Sequence, residues 1–337
     1  MDHSATDPLQ NSLNKFLIIA NQAVNEYPFL TNSTIKLLNY SENATYLVKD
    51  NSTSEKYILR VGRPGYHSKT EVQSELEWLI SIDQDSSINV SLPIAGGNGE
   101  YVQEVVHENK TYYCTLFSFL EGSAPDEENE GELIKEFETL GEVTAQLHEH
   151  SIRNRKNLAH ITRLTWDYES ILGPSPKWGR WENGLGITPE RKELFQQVSE
   201  KIKKRLEAYG KAPDRYGLIH SDLRLANLLV EKDRIKVIDF DDCGFGWYLY
   251  DFATSVSFIE HKPYVPHLIS AWITGYRKVR HLTDDEVNEI PTFIMMRRLQ
   301  LIAWVGSRDN ETTRELGSHF SEETVEIARK YLTYTKI

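Results

Sequence analysis

His220-Ser221-Asp222-Leu223-Arg224-Leu225-Ala226-Asn227 puts a carboxylate and an amide five residues apart, just after the strand-like residues 217–219. Residues 228–230 and 235–238 read as two short strands joined by the polar turn EKDR, and Asp239 closes the second of them. A hairpin of that size brings Asn227 and Asp239 together. One amide oxygen and one carboxylate form an all-oxygen pair of the kind Mg²⁺ prefers, since it takes few protein ligands and fills its shell with water and phosphate. Asp222 stands beside that pair and is placed to accept a proton from a substrate hydroxyl. Asp241 and Asp242 follow at once. Carboxylates beside core-like strands are costly unless something pairs with them, so the crowding itself calls for a cation or a reaction. For Asp241 and Asp242 the residues leave second-shell metal contacts, cation binding and a solvated loop all open.

The elements that must position these groups differ along the chain. The first 120 residues carry β signals: TIKLLNY, ATYLVKD and KYILRVG are β-branched or aromatic and are separated by turn residues. Alternation in the third run predicts Ile58 and Arg60 on one face of the strand. SKTEVQSELEWLISI follows, with Val72, Leu76, Leu79 and Ile80 at helical spacing and Ser68 as the cap. Two more strands are expected near 100–106 and 111–119, giving a small sheet with one inserted helix. The acidic stretch EGSAPDEENEGE reads as a solvated linker. Beyond it, Leu133, Phe137, Leu140, Thr144 and Leu147 make one helical stripe, and Leu194, Val198, Ile202 and Leu206 another. A Trp-rich segment broken by Gly and Pro lies between them, with Trp166, Trp178 and Trp181 read as core and substrate-site walls as the alternative. Helices return from Val256 onward. The fold class is α+β: a β-rich N-lobe over residues 1–120 and a mainly helical C-lobe over 121–337 that holds the Asp-rich loops.

Composition narrows the functional classes. The chain has 337 residues and a formal net charge of -12. An acidic balance disfavours non-specific binding to nucleic acid or membrane surfaces and mildly favours cationic ligands. No apolar run reaches the roughly 18 residues of a membrane span. The segment MDHSATDPLQ has no basic start followed by an apolar run, so it does not read as a secretory signal. Cys114 and Cys243 form no metal-binding spacing and read as core thiols of a cytoplasmic protein. The oligomeric state is not legible.

The pattern HxDxxxxN followed by a strand ending in Asp resembles the catalytic and metal-binding loops of protein-kinase-like folds. LIHSDLRLANLL, VIDFDDCGFGW and LYDFA, with the upstream NATYLV, YILRV and SELEWL, resemble the aminoglycoside phosphotransferase and choline kinase superfamily. The likeness is to its bacterial homoserine-kinase-like or Ser/Thr-kinase-like branch and spans about residues 40–308.

The resemblance implies a bilobal kinase that uses ATP and Mg²⁺. Asp222 is then the catalytic base, Asn227 and Asp239 hold the metal, and His220 braces the loop. Glu75 pairs with Arg60, and Arg60 reaches the nucleotide phosphates. Backbone groups of Ser118 and Leu120 bond adenine at a hinge near 116–121, and Asp251 is structural. Two positions depart from the family pattern. Arg60 stands where lysine is usual, and the loop Tyr40-Ser41-Glu42-Asn43-Ala44 has no glycine. The expected acceptor is a hydroxylated small molecule bearing an amine: an amino alcohol, a hydroxy amino acid or an aminoglycoside. A protein Ser/Thr kinase is the alternative enzyme. A nucleotide-binding pseudokinase is the alternative of another class. A metal-dependent phosphohydrolase would leave the N-lobe unexplained.

Overall fold

The computed structural model describes residues 8–41 and 43–334. Most of the N-terminal segment MDHSATDPLQ and Glu42 of the glycine-free loop lie outside the described residues. The chain divides into two compact units. One takes the residues up to 84 together with 90–121; the other takes 85–89 and everything from 122 onward.

The first unit contains α1 (Pro8–Val24), β1 (Ser33–Tyr40), β2 (Ala44–Asp50), β3 (Lys56–Val61), α2 (Lys69–Asp85), β4 (Pro93–Ile94), β5 (Gln103–His107) and β6 (Lys110–Ser118). Its strands form one sheet in the order β1-β2-β3-β6-β4, with β5 also paired to β6. Helix α1 corrects the expectation of a single helix here. Phe16, Ile19, Ala20 and Ala23 recur at helical spacing and pack on Tyr46, Leu59, Val61 and Leu116 of the sheet. Because Leu59 and Val61 enter that core, the strand alternation turns Arg60 to the other face, toward α2. The start of α2 is capped as its sequence suggests. The Glu71 N–H donates to Ser68 Oγ at 3.2 Å, and the Ser68 N–H donates back to the Glu71 carboxylate at 2.7 Å.

The second unit contains α3 (Glu130–Arg153), β7 (Leu164–Trp166), α4 (Tyr168–Leu172), α5 (Pro189–Tyr209), β8 (Tyr216–Ile219), β9 (Leu228–Glu231), β10 (Arg234–Val237), β11 (Gly244–Trp247), α6 (Tyr248–Ser255), α7 (Val265–Arg277), α8 (Asp284–Val287), α9 (Ile290–Ser307), α10 (Glu311–Leu316) and α11 (His319–Thr333). The expected stripe of α3 is buried. Helix α3 packs closely along α7 because glycines remove the obstacle: a Cβ on Gly275 would overlap the Glu138 carbonyl, and one on Gly141 that of Trp272. The hairpin β9-β10 pairs Leu228 with Val237, as the spacing suggests.

A three-stranded sheet, β7-β11-β8, was not expected in this unit. Its strands are three or four residues long and rich in Gly and Trp, too short for alternation to show. Trp166, Trp178 and Trp181 are buried, so the reading of this segment as core stands. Helix α9 is buried on nearly every side yet carries Arg297, Arg298 and Gln300. Polar groups in such a helix need partners, and those partners bear on the site.

Candidate active site

Strand β8 ends where His220 begins, and the loop that follows is held from beneath by Asp251 of α6. Asp251 is fully buried. Its Oδ2 accepts the His220 N–H at 3.1 Å and its Oδ1 the Ser221 N–H at 2.6 Å. Ser221 has φ 66°, a conformation a serine adopts only when held. The Asp222 N–H donates to His220 Nδ1 at 3.2 Å, so Nε2 carries the ring proton and donates it to the Ile238 carbonyl at 3.1 Å. His220 therefore braces Asp222 against the strand that leads to Asp239.

Asp222 has three side-chain partners. Arg297 Nη2 donates to Oδ1 at 2.5 Å, Asn227 Nδ2 donates to Oδ2 at 2.8 Å, and Arg224 Nε lies 3.3 Å from Oδ2. Arg297 is itself fixed. It bonds Ser257 Oγ at 3.1 Å and Gln300 Oε1 at 3.2 Å, and its guanidinium lies 5.1 Å from the Trp178 ring centroid. Burial pushes the Asp222 carboxyl up, but the charges of Arg297 and Arg224 outweigh it and hold the group below the usual carboxylate range. Asp222 is thus an ionised, oriented acceptor.

Asn227 uses its amide donors on Asp222, bonding the backbone carbonyl at 2.9 Å as well as the carboxylate. Its amide oxygen is left as the acceptor a cation would use. The Asn227 carbonyl accepts the Ile238 N–H at 3.0 Å, which ties Asn227 to the residue before Asp239. Asp239 is exposed, with φ 63° and ψ 65°, at the head of a 3₁₀ turn over Phe240–Asp242. These all-oxygen donors, held by backbone contact, fit a small hard cation.

Behind the loop, Arg280 donates to Tyr276 Oη at 2.9 Å. The Tyr276 hydroxyl therefore donates to His148 Nδ1 at 2.9 Å, and His148 Nε2–H donates to Asp251 Oδ2 at 3.0 Å. Burial holds the His148 pKa below the ordinary imidazole value despite the pull of Asp251. The folded protein keeps this ring neutral, whereas the unfolded chain protonates it below about pH 6.5. Stability should therefore fall on acidification from that pH, by up to about 1.4 kcal/mol per pH unit from this group. Urea unfolding at pH 7.5, 6.5 and 5.5 measures the loss, and His148→Gln should make it shallower. An unchanged slope in the variant would clear His148 of responsibility.

In the first unit, Arg60 and Glu75 form the pair that the resemblance implied. Nη1 and Nη2 donate to Oε1 and Oε2 at 2.7 Å each, both residues are buried, and the guanidinium lies 5.1 Å from the Phe117 ring. The backbone of Ser118 is engaged within its own unit. Its N–H donates to the Leu92 carbonyl at 2.8 Å, and its own carbonyl accepts from Ser91 Oγ. The strand has used the donor that adenine would need, and only the second lone pair of the carbonyl is left for it. Leu120 lies beyond the end of β6, outside its ladder.

Sequence reading missed Arg297, His148 and Arg280, and also Arg163, which bonds the carbonyls of Asp241 and Cys243. The one available signal was MMRRLQ, two arginines inside an apolar helix.

The sequence profile described as the phosphotransferase enzyme family matches residues 34–284. The amicoumacin kinase of Bacillus subtilis (strain 168) is 25% identical over 289 residues, covering 82% of this chain and 81% of that protein. The solved structure of a microcompartment-associated aminopropanol kinase is 40% identical, with a TM-score of 0.85 over 94% of this chain and 98% of that one. An amicoumacin kinase in complex with AMP-PNP, Ca²⁺ and Ami gives a TM-score of 0.74 at 19% identity, covering 95% and 96%; that likeness is one of fold.

Proposed function

Because this chain belongs to the phosphotransferase enzyme family, with a protein-kinase-like fold, and is an ATP-dependent kinase of small-molecule hydroxyls, we propose that its acceptor is a short amino alcohol. The observation that carries the acceptor class is the 40% identity, over nearly the whole chain, to a kinase of aminopropanol. The net charge of -12 favours a cationic acceptor. Asp222 already faces two arginines, so its work is on the hydroxyl, and the ammonium is met elsewhere.

In this reading the acceptor hydroxyl donates a hydrogen bond to Asp222. Its oxygen attacks the γ-phosphorus in line as the bond to the β–γ bridging oxygen breaks, and Asp222 takes the proton late. Little covalent help is needed, because the transition state is loose and the work lies in positioning and charge. Asn227 and Asp239 are the residues that would hold Mg²⁺, which neutralises charge building on the phosphates. Arg60, aligned by Glu75, is assigned to the nucleotide phosphates, and the backbone of Leu120 to adenine. Arg keeps the charge of the usual lysine but reaches with a planar fork. Cys114 and Cys243, both buried and in no disulfide among the described residues, support a cytoplasmic setting. Among the described residues no helix is long and apolar enough to cross a membrane.

The test is ADP release from ATP and Mg²⁺ with a panel of 1-amino-2-propanol, ethanolamine, homoserine, an aminoglycoside and a Ser/Thr-rich protein. Turnover should be fastest with the amino alcohols. Turnover confined to the protein would replace this reading with a protein kinase. Nucleotide binding without turnover on any hydroxyl would replace it with a regulatory binder.

A further inference from the structure

Three consecutive carbonyls follow the candidate metal ligand Asp239, and each is met by a donor from far away in sequence. The carbonyl of Asp241 accepts from Arg163 Nη2, and that of Cys243 from Arg163 Nε at 2.8 Å. The carbonyl of Asp242 accepts from Trp166 Nε1 at 2.7 Å and from Ser221 Oγ at 2.5 Å. Arg163 and Trp166 are both buried. Arg163 precedes β7 and Trp166 ends it, and β7 runs parallel to β11 with Leu164 opposite Gly244. Gly244 makes the approach possible: a Cβ there would overlap the Leu164 carbonyl and sit 3.1 Å from Trp166 Nε1.

This arrangement does more than fill a core. Asp239 is a non-glycine residue at φ 63°, and such conformations persist only where the surroundings over-determine them. The turn after Asp239 is fixed on its carbonyl side by a fork and an indole. The Asp242 carbonyl is also the point where the catalytic loop, through Ser221, joins the metal loop. Outer partners of this kind commonly set metal affinity as strongly as the ligands do.

We propose that Arg163 and Trp166 are positioning residues that hold the turn of Asp239 in its cation-binding shape, and so set the metal affinity of the site and not the affinity for the acceptor. The inference rests on the kinase reading and on Asp239 as a metal ligand. Arg163→Lys keeps the charge but cannot bridge two carbonyls. Trp166→Phe removes one donor and keeps an aromatic ring.

The experiment titrates Mn²⁺ by electron paramagnetic resonance in the presence of a non-hydrolysable ATP analogue, for full-length wild type and both variants. Near-ultraviolet circular dichroism checks the fold, and the acceptor KM is measured at saturating metal. Each variant should bind Mn²⁺ about 10-fold or more weakly with the acceptor KM unchanged within twofold. If Arg163→Lys does not fold, Trp166→Phe decides alone. Folded variants that bind Mn²⁺ as wild type does would overturn the proposal and leave the kinase reading standing. So would equal losses in metal affinity and acceptor KM, because they mark general loosening. Wild type that binds no Mn²⁺ with the nucleotide would instead overturn the metal assignment itself, and this inference with it.

Discussion

Asp222→Asn should lower kcat by roughly 10²–10⁴-fold, the range of a positioned general base, while metal–nucleotide affinity stays near that of the wild type. The amide keeps the shape of the carboxylate and can still accept from Arg297 through its oxygen. What it loses is the charge and the capacity to take the hydroxyl proton. In the structure that charge is matched by Arg297 and Arg224, and the carboxyl is held below the usual carboxylate range. Asp222 therefore stays ionised without a bound cation, and the substitution removes a group that is ready to act. Steady-state kinetics with the best acceptor, together with calorimetric titration of the nucleotide, separate the two effects. Thermal unfolding checks that loss of the buried pair has not unfolded the enzyme, since such pairs are strongly destabilising to break. If kcat held and nucleotide binding failed, Asp222 would be a binding residue and the mechanism proposed above would be wrong.

Asp239→Ala should abolish measurable turnover and weaken metal-dependent nucleotide binding. Asp239→Asn separates charge from backbone. Asparagine tolerates a positive φ better than alanine, so it keeps the turn at φ 63° and removes only the negative charge. Both variants should lose turnover, with alanine also losing stability by about 1 kcal/mol from the strained position. Nucleotide titrations with and without Mg²⁺ are the measurement. Affinity that depends on Mg²⁺ as strongly in the variants as in wild type would remove Asp239 from the metal site.

Much of this site was legible because its parts are close in sequence. His220, Asp222 and Asn227 share one loop, and the hairpin β9-β10 has few ways to close, so Asn227 and the segment at Asp239 had to meet. The face of Arg60 was legible because a strand presents alternate residues to alternate faces; its pairing with Glu75 came from the resemblance to the family. Helix α1 was available too. Its residues 16, 19, 20 and 23 carry the helical period.

Ser118 shows what local reading leaves out. At the end of β6 the Leu92 carbonyl takes the Ser118 N–H, and nothing within ten residues of Ser118 announces that. Arg297 is 75 positions from Asp222, His148 is 103 from Asp251, and Arg163 is 78 from Asp241. Sequence by itself determined which groups are available for chemistry: the oxygens of Asp222, Asn227 and Asp239 within one loop and hairpin, and the cation of Arg60 on its strand. Tertiary structure alone decided how those groups are held. A buried arginine or histidine must find its partners wherever packing brings them, and sequence spacing imposes no geometry over such distances.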